Sequence, residues 1–328
     1  MKFMEVKLPK SRFSEDKSHV ETKEFNSITI PCAYFTSGTS LEGYYLDMRE
    51  AFKQYDAGIF GDFDELGVPM VGWGKNAYYS PVNIAQYGFA LHAMFLEQKN
   101  DEIWNVLQAC LQQLEKLELT DDRGITWCDE KPSVRYNTGS NWSSAMTQGE
   151  CLSFYLRMYQ LNHDTNLLHK ATQIFEFLFV PFSEGGAYML DEYGDVWLEE
   201  YPSKPQSKVL NGFVYAMFGV YDYYRITNSE KAKKLWDACI LTLEKNIAHF
   251  DSGYWSYYDL YRKELVKYYY QKNVHTPQLE ALYQLTGKSI FNKYATKWKT
   301  TVNPINHIFV QLMYRVRPRW RKLTGKIN

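Results

Sequence analysis

The sequence predicts a mainly α-helical fold: an incomplete α/α toroid of about four helical hairpins, with short β-hairpins on the cleft side and an N-terminal extension. Three observations predict it. Polar residues at the starts of four apolar segments, Gln86, Gln148, Asn211 and His275, are spaced by 62, 63 and 64 residues. Each of these segments is followed by another with apolar residues at i, i+3, i+4 and i+7, the stripe of a helix with one buried face. Between the pairs lie Gly-centred aromatic segments that alternate like short strands.

In chain order, residues 1–45 are polar and lack long periodicity, and they are read as an extension packed on the ring. Residues 46–328 form the ring itself, one domain, because no Pro/Ser/Gly-rich linker interrupts them. The helix pairs fall at Phe89 to Leu96 with Ile103 to Leu117, and at Leu152 to Leu161 with Leu167 to Phe179. Phe213 to Tyr223 with Ala232 to Ile247, and Leu279 to Leu285 with Phe291 to Trp298, complete the four. Arg123 to Trp127, Gly185 to Met189 and Ser252 to Ser256 supply the intervening hairpins. In such a ring the inner helices begin where the loops meet, so Gln86, Gln148, Asn211 and His275 are expected to converge on one cleft. Helix capping competes with this reading at Asn211, and less at the glutamines.

Composition narrows the chemistry. Aromatic residues make up 17% of the chain, with 27 Tyr, 19 Phe and 9 Trp. A large packed core accounts for that, and so does a carbohydrate cleft in which flat rings stack on sugars. A net charge of −1 argues against bulk nucleic-acid binding but leaves an acidic polymer open, because a cleft needs only a local positive lining. Five cysteines without a C-x-x-C spacing read as reduced thiols, with neither a disulfide frame nor a zinc site. No cofactor is expected. No signal-peptide-like N-terminus and no 18-residue apolar run occurs, so a cytoplasmic protein without a membrane span is expected, as a possible homodimer.

The stretch Trp197-Leu198-Glu199-Glu200-Tyr201-Pro202, followed by Val209-Leu210-Asn211-Gly212-Phe213, sets two carboxylates and a tyrosine just before a helix. These are proton-transfer groups. On a regular strand Glu200 and Tyr201 would point to opposite faces, so a shared cleft requires a bend, for which Pro202 is suited. Paired carboxylates could also serve a glycoside hydrolase, Glu199 or Glu200 acting with Asp259.

With these blocks, the chain resembles the C-terminal catalytic region of the D-glucuronyl C5-epimerases, enzymes that act on heparosan. The resemblance rests on Gly67-Val68-Pro69, Tyr78-Tyr79-Ser80-Pro81, Ile84-Ala85-Gln86-Tyr87-Gly88 and Trp142 to Gly149. It continues through Glu199-Glu200-Tyr201-Pro202, Val209 to Phe213, Tyr258-Asp259-Leu260, and His275 with Gln278-Leu279. Only about fifty residues separate Gly88 from Trp142, too few for the β-rich domain of the animal members, so this resembles a compact bacterial-type member.

The resemblance implies inversion of C5 of D-glucuronic acid to L-iduronic acid within a heparosan-like acidic polysaccharide, without a cofactor or a metal. It implies acid/base roles for Glu200, Tyr201 and Tyr258. The family's further tyrosine lies in a Tyr-His-x-x-His block; an ungapped alignment on His275 puts Gln271 there, whereas a one-residue insertion restores Tyr270, the residue chosen. Arg262, with Arg135 and Lys75 behind it, is the candidate cation for the substrate carboxylate. Tyr79, Gln86, Gln148, Asn211 and His275 complete the candidate binding residues. A polysaccharide lyase shares the first proton abstraction, and a non-catalytic acidic-glycan-binding protein is the alternative from another class.

Overall fold

The computed structural model describes Leu8 and residues 28–56 and 61–323. Helical hairpins form where a left-handed residue and an N-cap follow each other. Pro81–Gln98 (α2) ends at Lys99 with φ 48°, and Asn100 then caps Asp101–Leu117 (α3) by accepting from the amides of Glu102 and Ile103. His163 and Asp164 make the same junction between Ala145–Asn162 (α4) and Thr165–Phe177 (α5). Asn228 and Ser229 make it between Leu210–Thr227 (α6) and Glu230–Asn246 (α7). The short polar caps satisfy otherwise unpaired amides, and the left-handed residue turns the chain back within two positions.

The fourth inner helix, α8, is composite: Tyr268–Tyr270 is α-helical, Gln271–His275 is a π-helical segment, and Thr276–Thr286 is α-helical again. Gly287 closes it and Ser289–Thr301 (α9) returns. The helices α2, α4, α6 and α8 line the ring, with buried residues around much of their circumference, whereas α3, α5 and α7 bury one stripe each. Two inner helices nearly touch. A Cβ on Gly149 would lie 2.5 Å from Ala216 Cα, and one on Gly219 would lie 2.3 Å from Gly149 O. Both positions therefore require glycine.

Among the described residues three antiparallel two-stranded sheets fill the junctions between pairs: Leu119–Asp121 (β1) with Gly124–Thr126 (β2), Cys128–Asp129 (β3) with Trp142–Ser143 (β4), and Tyr188–Leu190 (β5) with Val196–Leu198 (β6). The segment Ser252 to Ser256, expected as a hairpin, instead makes one bridge from Asp251 to Ser256 around a fully buried Trp255. Two helices had no counterpart in the repeat: Met48–Asp56 (α1), packed on α2, and Pro304–Leu323 (α10) after the last hairpin.

Residues 28–47 lie against the ring. Tyr44 stacks on Phe89 with ring centroids 3.8 Å apart. Arg157 donates to Gly43 O at 2.9 Å, Arg225 to Gly38 O and Ser40 O at 2.7 Å each, and Gln160 to Thr39 O at 2.7 Å. Both arginines converge on the fully buried Asp222, Arg157 at 2.6 Å and Arg225 at 3.5 Å, and Tyr45 and Ser153 donate to it at 2.6 and 2.8 Å. Among the described residues no helix is long and apolar enough to cross a membrane, and no three His, Cys, Asp or Glu side chains are grouped to hold a metal.

Candidate active site

The two carboxylates after β6 are divided between different tasks. Glu199 still pairs as a strand residue, its amide donating to Ala187 O at 2.9 Å and its carbonyl accepting from the amide of Ala145, also at 2.9 Å. Its carboxylate accepts from the Ser207 hydroxyl and, at 2.9 Å, from the Lys208 amide, which ties down the loop between β6 and α6. At Glu200 and Tyr201 the chain bends, and the Glu200 side chain reaches the start of α6.

Glu200 is 7% exposed and lies directly against Gly212. A Cβ there would sit 2.3 Å from Glu200 Oε2 and 2.5 Å from its Cβ, so only glycine admits the carboxylate at this distance. Tyr258 donates to Oε1 at 2.8 Å and Asn211 Nδ2 to Oε2 at 3.3 Å. Loss of hydration pushes the Glu200 carboxyl up to about 7; hydrogen bonds from Tyr258, Tyr201 and the Gly212 amide and the charge of Arg135 oppose that rise. The phenols around it move the other way from use as bases. Tyr201 is raised first by the Glu200 charge and then by burial, while Tyr258 and Tyr270 are raised first by burial and then by Glu200. Glu200 is thus pushed toward neutrality, and the three tyrosines beside it keep their protons.

Tyr201 stacks on Tyr136 (4.5 Å, 23°) and lies 5.2 Å from Trp142. Tyr270 meets Tyr258 edge-on, centroids 5.8 Å apart, and lines a cavity of about 90 Å³ together with Asn211, Gln86, Met146, Tyr215 and Tyr269. The misfit of one residue in the alignment of this block has a structural counterpart. A π-helical turn is what one extra residue makes inside an α-helix, and it begins immediately after Tyr270. Gln271, by contrast, is fully buried, accepting from the Ser256 amide and hydroxyl and donating to Thr301 at 3.2 Å.

Arg135 and Arg262 differ in placement. The Arg135 guanidinium lies over the rings of Tyr258 (5.0 Å) and Tyr136 (5.3 Å) and pairs with Glu264 at 2.6 Å. Arg262 is turned toward Glu264 and the Arg135 carbonyl, so it braces Arg135 and the loop instead of facing Glu200. Lys75 stands exposed on a 3-10 turn, and the Tyr79 hydroxyl is taken by Asp64 at 2.8 Å. The expected convergence of the four polar helix starts holds for Gln86 and Asn211 only. Gln148 is buried with its amide spread over Ile125 O, Ile174 O and the Thr126 hydroxyl, a clamp between β2 and α5. His275 is fully buried against Trp298, shares a 2.8 Å hydrogen bond with Ser256, and burial lowers it to about 3, so it is a neutral core histidine.

Sequence reasoning passed over three residues here. Glu150, one position beyond the Thr-Gln-Gly block, is fully buried; Gln86 donates to Oε1 at 2.9 Å and Oε2 has no hydrogen-bond partner among the described residues. Burial first, and the Glu200 charge to a lesser degree, raises its carboxyl well above the usual range. Its place one turn into α4 was a usable signal. Tyr136 and Trp142, which hold Tyr201 on two sides, lie in a loop and a two-residue strand where no periodicity marks them. Tyr136 also donates to the buried Asp259 at 3.1 Å.

Fold and site define a class: an α/α toroid with a buried carboxylate–tyrosine cluster at the mouth of its inner helices. The sequence model of the family described as D-glucuronyl C5-epimerase C-terminus matches residues 125–300, more than half of the chain, and the chain belongs to that family. It is 30% identical over 185 residues to the uncharacterized protein MJ1128 of Methanocaldococcus jannaschii, covering 55% of this chain and 59% of that protein. It is 27% identical over 175 residues to D-glucuronyl C5-epimerase of Caenorhabditis elegans, covering 48% of this chain and 28% of that protein. The match thus spans less than two thirds of either relative. Among solved structures, cellobiose 2-epimerase from Bacillus thermoamylovorans superposes with a TM-score of 0.51 at 12% identity, over 76% of this chain and 68% of that one, a likeness of fold.

Proposed function

We propose that the chain inverts C5 of D-glucuronic acid residues in a heparosan-like polysaccharide, by removing the C5 proton on one face and returning a proton on the other. The observation that carries this reading is Glu200: a nearly dry carboxylate titrating at about 7, held by neutral donors and surrounded by protonated tyrosines. A base with that proton affinity is about half ionised at neutral pH, which leaves a working fraction as carboxylate that is basic enough to take a proton from carbon. Glu200 takes the C5 proton, and the C–H electron pair moves into the C5–C6 bond, placing a second negative charge on the sugar carboxylate. Arg135 faces that charge, and Tyr201 and Asn211 are donors beside it. Tyr270 then gives its phenolic proton to the opposite face of C5. Tyr258, bonded to Glu200 and abutting Tyr270, lies between them for the proton's return. Family membership supports the reaction class.

The test is deuterium exchange on heparosan in D2O, followed by NMR. Deuterium at C5 with unchanged chain length is expected, and Glu200→Gln should lower the rate about 10²- to 10⁴-fold, the usual worth of a positioned general base. A product with a C4–C5 double bond would make the chain a lyase. No C5 exchange on any uronic-acid polymer would sink the proposal.

A further inference from the structure

Helix α10 carries two apolar faces, and only one is fully used; on the other, Phe309 meets Tyr254 edge-on at 5.1 Å. On the inner side, Val310 is fully buried among Trp255, Leu265 and Val266, and His307 stacks on Tyr268 at 4.3 Å. Asn306 donates to Tyr254 O at 3.0 Å, and the Tyr314 hydroxyl donates to Val266 O, so the helix is docked firmly by this side. On the outer side Ile305, Ile308, Leu312, Phe309 and Val316 are 83%, 73%, 56%, 43% and 42% exposed. Their spacing of i, i+3, i+4, i+7 and i+11 puts them on one stripe. Five large apolar side chains aligned on a helix whose other face is already packed make a contact surface.

The charge around this stripe says what covers it. From Ala281 to Asn328 the chain holds ten of its 37 Lys and Arg and none of its 38 Asp and Glu. Five of the ten, Arg315, Arg317, Arg319, Arg321 and Lys322, belong to α10. We infer that α10 lies flat on a bilayer carrying anionic headgroups, its stripe of Ile305, Ile308, Phe309, Leu312 and Val316 in the interface and its cations on the lipid phosphates. An apolar stripe combined with a strongly basic helix is the composition of helices that lie in the membrane plane. A second copy of the chain would bring this basic segment against its like, which charge repulsion disfavours. An acidic polysaccharide would use the cations but has no use for Ile308 and Leu312.

The experiment is flotation of the whole chain with vesicles of phosphatidylcholine alone and with added phosphatidylglycerol, at low and raised salt. Binding is expected only when phosphatidylglycerol is present, weakening as salt rises. Ile308→Asp and Leu312→Asp should each weaken it about tenfold, one buried aliphatic side chain's worth, with unchanged thermal unfolding. Arg315→Glu should weaken it about tenfold as well, from the loss of attraction and the added repulsion. The inference is overturned by failure to float with anionic vesicles, or by aspartate variants that float like the parent. It is equally overturned if light scattering finds a dimer that Ile308→Asp splits, or if immobilised heparosan, and no vesicle, retains the chain independently of Ile308. C5 exchange plays no part in these readouts, so this inference and the proposed reaction stand or fall separately.

Discussion

Two of the ring's buried carboxylates stand in opposite circumstances. Asp222, on α6, is surrounded by charge: two arginines reach it, and Tyr45 and Ser153 complete its oxygens. Glu200, at the start of the same helix, is given only neutral donors, with Arg135 too distant to bond it. Both are out of water. The difference lies in what compensates for that. A carboxylate matched by guanidinium groups serves as a structural tie. One matched by phenols and amides keeps an affinity for a proton near neutrality and is free to exchange it. One helix therefore anchors the fold at its far end and the chemistry at its beginning.

The sharpest way to break this contrast is Asp222→Asn. It leaves two buried guanidinium groups without their anion and should cost about 3–5 kcal/mol, read by denaturant unfolding. A loss below about 1 kcal/mol would refute the tie. Gly212→Ala acts on the other carboxylate. Its methyl group collides with Glu200 at 2.3 Å, so it should destabilise by about 1–3 kcal/mol and displace the base from Tyr258, cutting C5 exchange beyond the stability loss. Unaltered exchange would show that Glu200 does not act from this position.

The smallest effect reads the proton affinity directly. Below pH 4.5 Glu200 is protonated both folded and unfolded. Between about 4.5 and 7 the unfolded chain has released a proton that the folded one keeps, so this residue makes stability fall as pH rises. Glu200→Gln removes that dependence: the variant should melt a few degrees higher than the parent at pH 8 and no higher at pH 4. Glu199, also pushed up to about 7, is common to both proteins; burial is its main cause and the Glu200 charge a lesser one, so most of its contribution cancels from the difference. A gain equal at both pH values would mean the carboxylate's proton affinity is ordinary.

Much of the fold was legible because the apolar stripes of the helix pairs are local. The caps Asn100, Asp164 and Ser229, which the sequence reading did not single out, fix where each pair turns. Glu200, Tyr201 and Tyr258 were legible as blocks of sequence, and the bend that unites them was signalled by Pro202. What escaped reading depends on partners remote in the chain. Gln148 looks like a cleft residue until the carbonyls of Ile125 and Ile174 are brought to it. Arg262 sits nearer the expected position for a cation than Arg135, but Glu264 and the Arg135 carbonyl draw it aside. Helix α10 lies beyond the last repeat, and with apolar residues on two faces it has no single stripe to recognise.

The clamps on residues 38–45 have a consequence for how the molecule is made. These residues are made before their partners: Gly43 awaits Arg157, and Gly38 and Ser40 await Arg225, more than a hundred positions later. Ile30 waits longer still, for Asn273. Contacts of such separation form late, because the intervening loop must first be closed. During synthesis the stretch bearing Tyr44 and Tyr45 is thus a clasp without a buckle, its aromatic surface uncovered until α4 and α6 have come together at Gly149 and Gly219. The nascent chain is most exposed to misassociation in that interval, and a part made before the ring helices is the part that locks them.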